Sequence, residues 1–280
     1  MLGEAMVEGV AFGMSGLRLW ALLVTVASVG GLVVYFGYGG WLYWRYYVRR
    51  RDRAVDWKIQ PRRFQPADKH RWGIRVAAVN MLLGGLLSGS FAYYVVGGGY
   101  SALYLDAAEH GLAYTLLSVV LLFVAIEASA YYTHRLLHRK WLFKHFHRWH
   151  HRCVAPTPFN TVTMHPVEFL MLQVSAFLPI FVLPVHAYVF IGMLVYVLIF
   201  NIMDHSGIVM RHLLPWHSTS RFHDDHHVYF HCNFGQNLGW FDRFHGTLRR
   251  KDRRYGEKVF GGKGAPVGDE RGATPEFVEY

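Results

Sequence analysis

The chain is 280 residues long, 52% hydrophobic and only 17% charged, and carries a net charge of +10. Its apolar residues are concentrated in runs long enough to cross a bilayer, which excludes an ordinary water-soluble domain. The positive charge sits beside those runs instead of along one soluble face, so no nucleic-acid partner is expected.

The first sixteen residues hold Glu4 and Glu8 and no Lys or Arg. A cleaved signal begins with basic residues, so the first apolar run is expected to remain as an anchor. Leu17 to Trp44, Gly73 to Val96 and Gly111 to Tyr132 each reach the roughly 20 residues that cross a hydrocarbon core. A fourth apolar region, Val167 to Met203, is interrupted by Pro179, Pro184 and His186. Two short helices joined by a kinked turn are expected there, entering and leaving the bilayer on one side. Lys and Arg crowd Arg45 to Arg63 and again His134 to Arg152, whereas Gly97 to His110 has none. The positive-inside tendency then places the amino terminus outside, and the histidine-rich segments and carboxyl terminus in the cytosol. The expected division is a membrane anchor over 1–110, a catalytic segment over 111–250, and a loosely ordered tail over 251–280, rich in Gly, Pro and charge. Cys153 and Cys232 are the only cysteines and both fall in cytosolic stretches, so no disulfide framework is expected.

Eighteen histidines are several times ordinary usage, and their spacing is regular. His134 and His138 are four apart on a stretch continuing the third span, so both imidazoles project from one helical face. His147, His150 and His151 follow as H-x-x-H-H, a pattern repeated by His223, His226 and His227. In each triplet the first two share a helical face and the third lies beside them. Solvated surface histidines do not repeat in this way, and a structural zinc takes four ligands with Cys prominent. Eight positioned imidazoles therefore imply two metal ions. His205, in NIMDHSG, is the natural ninth ligand, with Asn201 one turn earlier.

Glu127 and Tyr131 precede His134 by seven and three residues, on the same helical face at the inner end of a span. A carboxylate there is costly unless paired, and metal-bound imidazoles need an acceptor that fixes their tautomer. Glu127 and Tyr131 are read as such partners, and so are His165 and Asp242. His70, His110 and His186 are read as interfacial or capping residues. His145, His212, His217, His231 and His245 are given no role, although His231 has the best claim among them to line a pocket.

The order H-x-x-x-H, H-x-x-H-H, H-x-x-H-H resembles the fatty acid hydroxylase and sterol desaturase superfamily of integral-membrane oxygenases. Only eight residues separate His138 from His147, unlike the longer first gap of acyl-CoA desaturases. Within the superfamily, Ala155 to Phe159 (APTPF), Met164 to Pro166 (MHP) and Asn233 to Arg243 (NFGQNLGWFDR) look most like C-5 sterol desaturases, whereas NIMDHSG is closer to the hydroxylase and C-4 methyl oxidase style. The resemblance covers roughly Glu127 to Leu248. It implies an all-α integral membrane protein of about four transmembrane helices or helical hairpins, with a cytosolic helical cap rich in histidine that holds a di-metal site. It further implies two iron ions, dioxygen, electrons from NAD(P)H through cytochrome b5 and its reductase, a lipid substrate with a sterol favoured, and residence in the endoplasmic reticulum.

Other readings fit the same residues. One is a hydroxylase of fatty-acyl or sphingolipid chains, and another is a sterol C-4 methyl oxidase. A protein that binds or transports divalent metal belongs to a different class and would place its ligands mid-membrane along a path. Here the histidines cluster beyond the span ends.

Overall fold

The computed structural model describes residues 16–210 and 216–267. Glu4, Glu8, His212 and the tail beyond 267 lie outside the described residues.

The first apolar run contains no proline and forms one helix, α1 (Leu17–Leu42), which widens into a π-helical segment, Tyr43–Val48. The second helix, α2 (Ala67–Val96), follows Pro66, whose fixed φ and missing N–H suit the position before a helix, and it stops at Gly97. The third, α3 (Gly111–Leu137), runs one turn past the expected span and so carries His134 out on its last turn. Among the described residues, four helices are long and apolar enough to cross a membrane: Leu17–Val48, α2, α3 and Ala187–Asp204. Large apolar side chains such as Val26, Val33, Leu112 and Leu116 are exposed on them, as lipid-facing residues would be.

Small residues let α1 and α2 approach closely, since in lipid it is packing rather than water exclusion that brings helices together. A Cβ added at Gly85 would sit 2.4 Å from Ser28 Cα, and one at Gly89 would sit 2.4 Å from Val24 Cα. Trp20 Nε1 donates to Ser90 Oγ across the same seam at 3.0 Å.

The proline-interrupted region is a hairpin, as its sequence requires. Its arms are α5 (Pro166–Phe177), continued by a 3-10 turn over Leu178–Phe181, and α6 (Ala187–Asp204); the label α4 belongs to the short helix Arg148–His151 before them. At the turn, Val185–His186 pairs in parallel with Leu103–Tyr104. Tyr114 Oη, near the start of α3, donates to the Pro184 carbonyl at 3.0 Å. The hairpin therefore reaches the level of the amino-terminal end of α3, and both arms return toward its histidine-bearing end. Leu122, Ile126, Phe177, Ile180, Phe190 and Met193 fill the space between α3 and the two arms.

The polar half is held to the helices by buried hydrogen bonds. Asn80 of α2 donates to the Val162 and Met164 carbonyls at 2.8 and 2.9 Å. Gln60 donates to the Val154 carbonyl and to Asp224 Oδ2 at 2.8 and 2.9 Å, tying the basic connector to α7 (Ser220–Tyr229). Gly207, at φ +66, lies so close to the Pro156 carbonyl that a Cβ would meet its oxygen at 2.5 Å.

The expectation of a loose tail fails for residues 251–267. Arg253–Arg254 and Ala265–Pro266 pair as antiparallel strands, and Tyr255 is buried. Local composition is poor in apolar residues there, and long-range packing supplies the order instead.

Candidate metal centre

All three histidine boxes and His205 converge. The ligand atoms of His134, His138, His147, His151 and His226 lie within 4.8 Å of one another, and so do those of His150, His205, His223 and His227. These side chains are all buried, so none is a solvated surface residue. Both clusters draw on the same two short segments, and the spacing explains how. Within each H-x-x-H-H, the outer pair points to one cluster and the middle histidine to the other: His147 and His151 against His150, and His223 and His227 against His226. Neighbours in a helix diverge by about 100°, so a single turn serves two adjacent centres.

Hydrogen bonds at Nδ1 define the tautomers. A carbonyl oxygen can only accept, so each nitrogen facing one must carry the proton. His134 Nδ1 donates to the Phe234 carbonyl at 2.8 Å, His205 Nδ1 to that of Asn201 at 2.8 Å, and His226 Nδ1 to that of Cys232 at 2.6 Å. His150 Nδ1 faces the Thr163 carbonyl at 3.4 Å, and His147 Nδ1 donates to Glu168 Oε1 at 2.6 Å. Their Nε2 atoms are consequently lone pairs directed at one another. His134 and His147 Nε2 are 3.2 Å apart, His150 and His205 3.2 Å, and His151 and His147 3.1 Å. No proton is left to bridge the first two contacts, and lone pairs this close in a buried place repel. Among the described residues, His226 Nε2 and both ring nitrogens of His227 are buried without a hydrogen-bond partner. A cation among each set of Nε2 atoms resolves both problems at once, and this is the physical sense in which the residues fit metal ions.

Electrostatics agree. Burial, followed by the neighbouring imidazoles, holds His138, His147, His151 and His223 well below the ordinary imidazole range. His205 is pushed down to about 4, again mainly by burial. Burial thus favours the neutral ring, which is the form that ligates metal.

The residues expected to support the ligands divide three ways. Tyr131 and Asp242 act through a loop. Tyr131 Oη shares a 2.9 Å hydrogen bond with Thr247 Oγ1, which donates to Asp242 Oδ1 at 2.6 Å. Asp242 accepts from the Phe234 and Gly235 backbone N–H groups at 2.9 and 2.7 Å, fixing the peptide whose carbonyl orients His134. Asn201 acts through its main-chain carbonyl on His205.

Among the described residues Glu127 touches no imidazole, contrary to expectation. Its carboxylate accepts from the Asn237 and Leu238 backbone N–H groups, each at 3.0 Å, and from the Asn237 side chain. A buried carboxylate finds its best partners where several N–H groups converge, and this loop offers them. His165 is not brought to the clusters either. It caps α5, with Nδ1 accepting from Val167 N at 3.2 Å, and packs on Phe146 and Trp149. His186 caps α6 in the same manner, as anticipated.

Two supporting residues went unforeseen. Glu168 is the carboxylate that orients a cluster imidazole, and its signal was an acid alone in the apolar helix α5, where burial demands a partner. His231 Nδ1 lies 3.0 Å from His138 Nδ1, with no repeating pattern to mark it. Cys153 and Cys232 are buried, free thiols, and the Cys232 carbonyl accepts from His226 Nδ1.

Apolar helices ending at two buried imidazole clusters define a helical integral membrane protein able to hold metal ions at its polar end. Residues 119–247 match the family model described as fatty acid hydroxylase, so the resemblance read from the boxes is borne out over that segment. The chain is 31% identical over 54% of its length to a Delta(7)-sterol 5(6)-desaturase of Gibberella zeae, covering 47% of that protein. It is 34% identical over 54% of its length to lathosterol oxidase of Rattus norvegicus, covering 52% of it. It is 35% identical over 43% of its length to methylsterol monooxygenase 1 of Gallus gallus, covering 42% of it. The chain thus spans about half the length of the curated relatives it matches. No solved structure matches it.

Proposed function

We propose that this protein is a membrane-bound di-iron oxidoreductase that uses dioxygen to oxidise a sterol, introducing a C-5 double bond. The observation that carries the reading is the set of Nε2 lone pairs facing one another in two adjacent buried clusters. An unactivated lipid C–H bond does not yield to side-chain acids or bases, and bound iron would supply the oxidising power they lack. An all-imidazole donor set suits iron, and it lacks the thiolates of a structural zinc site.

The chain's own residues hold and orient these ligands. His134, His138, His147, His151 and His226 would hold one ion, and His150, His205, His223 and His227 the other. Glu168 would lend the first site a negative charge through His147, offsetting the cation's charge where no water can. Phe234 packs 4.8 Å from the His138 ring centroid and Phe230 5.0 Å from that of His151, walling the imidazoles from water. Substrate would enter from the bilayer between α3 and the hairpin, whose facing surfaces are apolar.

The segment 111–250 would be the oxidising unit, anchored by 1–110. The clusters lie on the side carrying the basic connectors, which favours a cytosolic orientation, with the endoplasmic reticulum as the expected membrane. Electrons would come from NAD(P)H through cytochrome b5 or an equivalent donor, meeting the basic surface around the boxes. A metal transporter is disfavoured because the ligands gather at helix ends and form no path through the membrane.

The likeness to a methylsterol monooxygenase supports a second reading, oxidation of a sterol C-4 methyl group by the same clusters. Purified protein supplied with ferrous iron, reductant, dioxygen and either substrate separates the two. A ring-desaturated sterol supports the first and an oxidised C-4 methyl group the second. Failure to oxidise any sterol with iron bound would overturn both.

A further inference from the structure

Among the five imidazoles of the first cluster, His138 alone directs Nδ1 at another imidazole. That nitrogen lies 3.0 Å from Nδ1 of His231, a buried residue outside the boxes. At its other end, His231 Nε2 is 3.2 Å from the Glu257 carbonyl oxygen. The carbonyl only accepts, so His231 carries its proton on Nε2 and presents a lone pair at Nδ1. His138 must then donate from Nδ1, which leaves its Nε2 free as a ligand atom, 3.3 Å from His151 Nε2. A single chain of polarity thus runs from a backbone carbonyl in the carboxyl-terminal segment to a ligand.

The segment that supplies the carbonyl is itself fastened to the boxes. The Glu257 side chain pairs with Arg148 Nε, between His147 and His150, at 3.1 Å. Phe260 lies 4.5 Å from the His231 ring centroid and 5.8 Å from that of Phe143. Tyr255 is buried, and its Oη accepts from Arg250 N at 3.1 Å.

We infer that His231 is a positioning residue for the five-histidine centre, fixing the His138 tautomer through a hydrogen bond polarised by the Glu257 carbonyl. The inference rests on the metal-binding reading of the clusters and extends it to a residue outside the boxes and to the segment after residue 250. Its effect falls on one centre only, because no contact of His231 reaches His150, His205, His223 or His227 among those described.

The test is ferrous iron retention by the full-length protein in detergent, loaded anaerobically and titrated with a soluble chelator. Removing the acceptor with His231→Leu should weaken one of two iron-binding steps by about 10-fold or more, the usual scale for such partners, and leave the other unchanged. The unchanged step reports that the fold survives. His231→Asn, whose Oδ1 occupies the place of Nδ1, should restore the weakened step; rescue by an acceptor of different shape is not what a purely space-filling role would give. Two unchanged steps in His231→Leu would overturn the inference while leaving the di-metal reading intact. Equal weakening of both steps, or no rescue by His231→Asn, would also overturn it. Absence of any iron binding by the unsubstituted protein would overturn both readings.

Discussion

His147 Nδ1 and Glu168 Oε1 stand 2.6 Å apart, with both side chains essentially inaccessible to solvent. Among the described residues this is the only contact between a carboxylate and an imidazole of either cluster. It joins α5, the first arm of the hairpin, directly to the segment bearing the second histidine box.

Because the carboxylate raises the basicity of the ring it holds, Glu168→Leu should weaken metal binding at the five-histidine centre by about 10- to 100-fold. Glu168→Gln keeps an acceptor without the charge and should fall between that variant and the unsubstituted protein. Metal content after dialysis against graded chelator checks the order.

Glu127 should behave differently, although it too is a buried acid near the boxes. Glu127→Ala leaves the Asn237 and Leu238 N–H groups without their acceptor, at a cost of about 1–3 kcal/mol for each buried group left unpaired. The melting temperature should drop, while the protein that remains folded should still hold metal on both centres. Loss of metal without loss of stability would reverse the roles assigned to Glu127 and Glu168.

These two acids show what the sequence makes legible. Membrane spans and boxes could be read because their signals are local: a contiguous apolar run, and imidazoles repeating within one helical turn. The carboxylate partner could not, since choosing between Glu127 and Glu168 depends on which one faces an imidazole and which a loop of N–H groups. Both lie in apolar helices, and the same cost argument applies to each. His165 is read from MHPVE as a partner of the ligands, whereas it caps α5 and Glu168 of the same stretch meets His147. Asn201, one turn before His205, reaches it through a main-chain carbonyl that any residue would offer. The order of residues 251–267 comes from long-range contacts with Phe143, Arg148 and His231, which no local pattern in a Gly-rich segment reveals.

The α1–α2 seam gives a prediction free of the metal. Alanine ordinarily favours a helix over glycine by about 1 kcal/mol, so Gly30→Ala, where no atom lies within 4 Å of the added Cβ, should be neutral or stabilising. Gly89→Ala drives its Cβ into the Val24 backbone and should destabilise by about 1–3 kcal/mol. Thermal unfolding in detergent micelles distinguishes the pair.

Stripping metal should destabilise the protein as well, since it leaves the Nε2 atoms of His134 and His147, and of His150 and His205, facing one another without a cation. Binding energy at such sites is folding energy. The melting temperature should fall by at least several degrees on chelation and recover when ferrous iron is returned.

The most direct measurement is iron quantified per folded chain after anaerobic loading, for the unsubstituted protein and for His226→Ala and His227→Ala. One iron for each cluster is predicted in the first case, with selective weakening of one centre by His226→Ala and of the other by His227→Ala. A single binding event lost in both variants, or no iron bound by any of the three, would contradict a pair of metal centres built from these boxes.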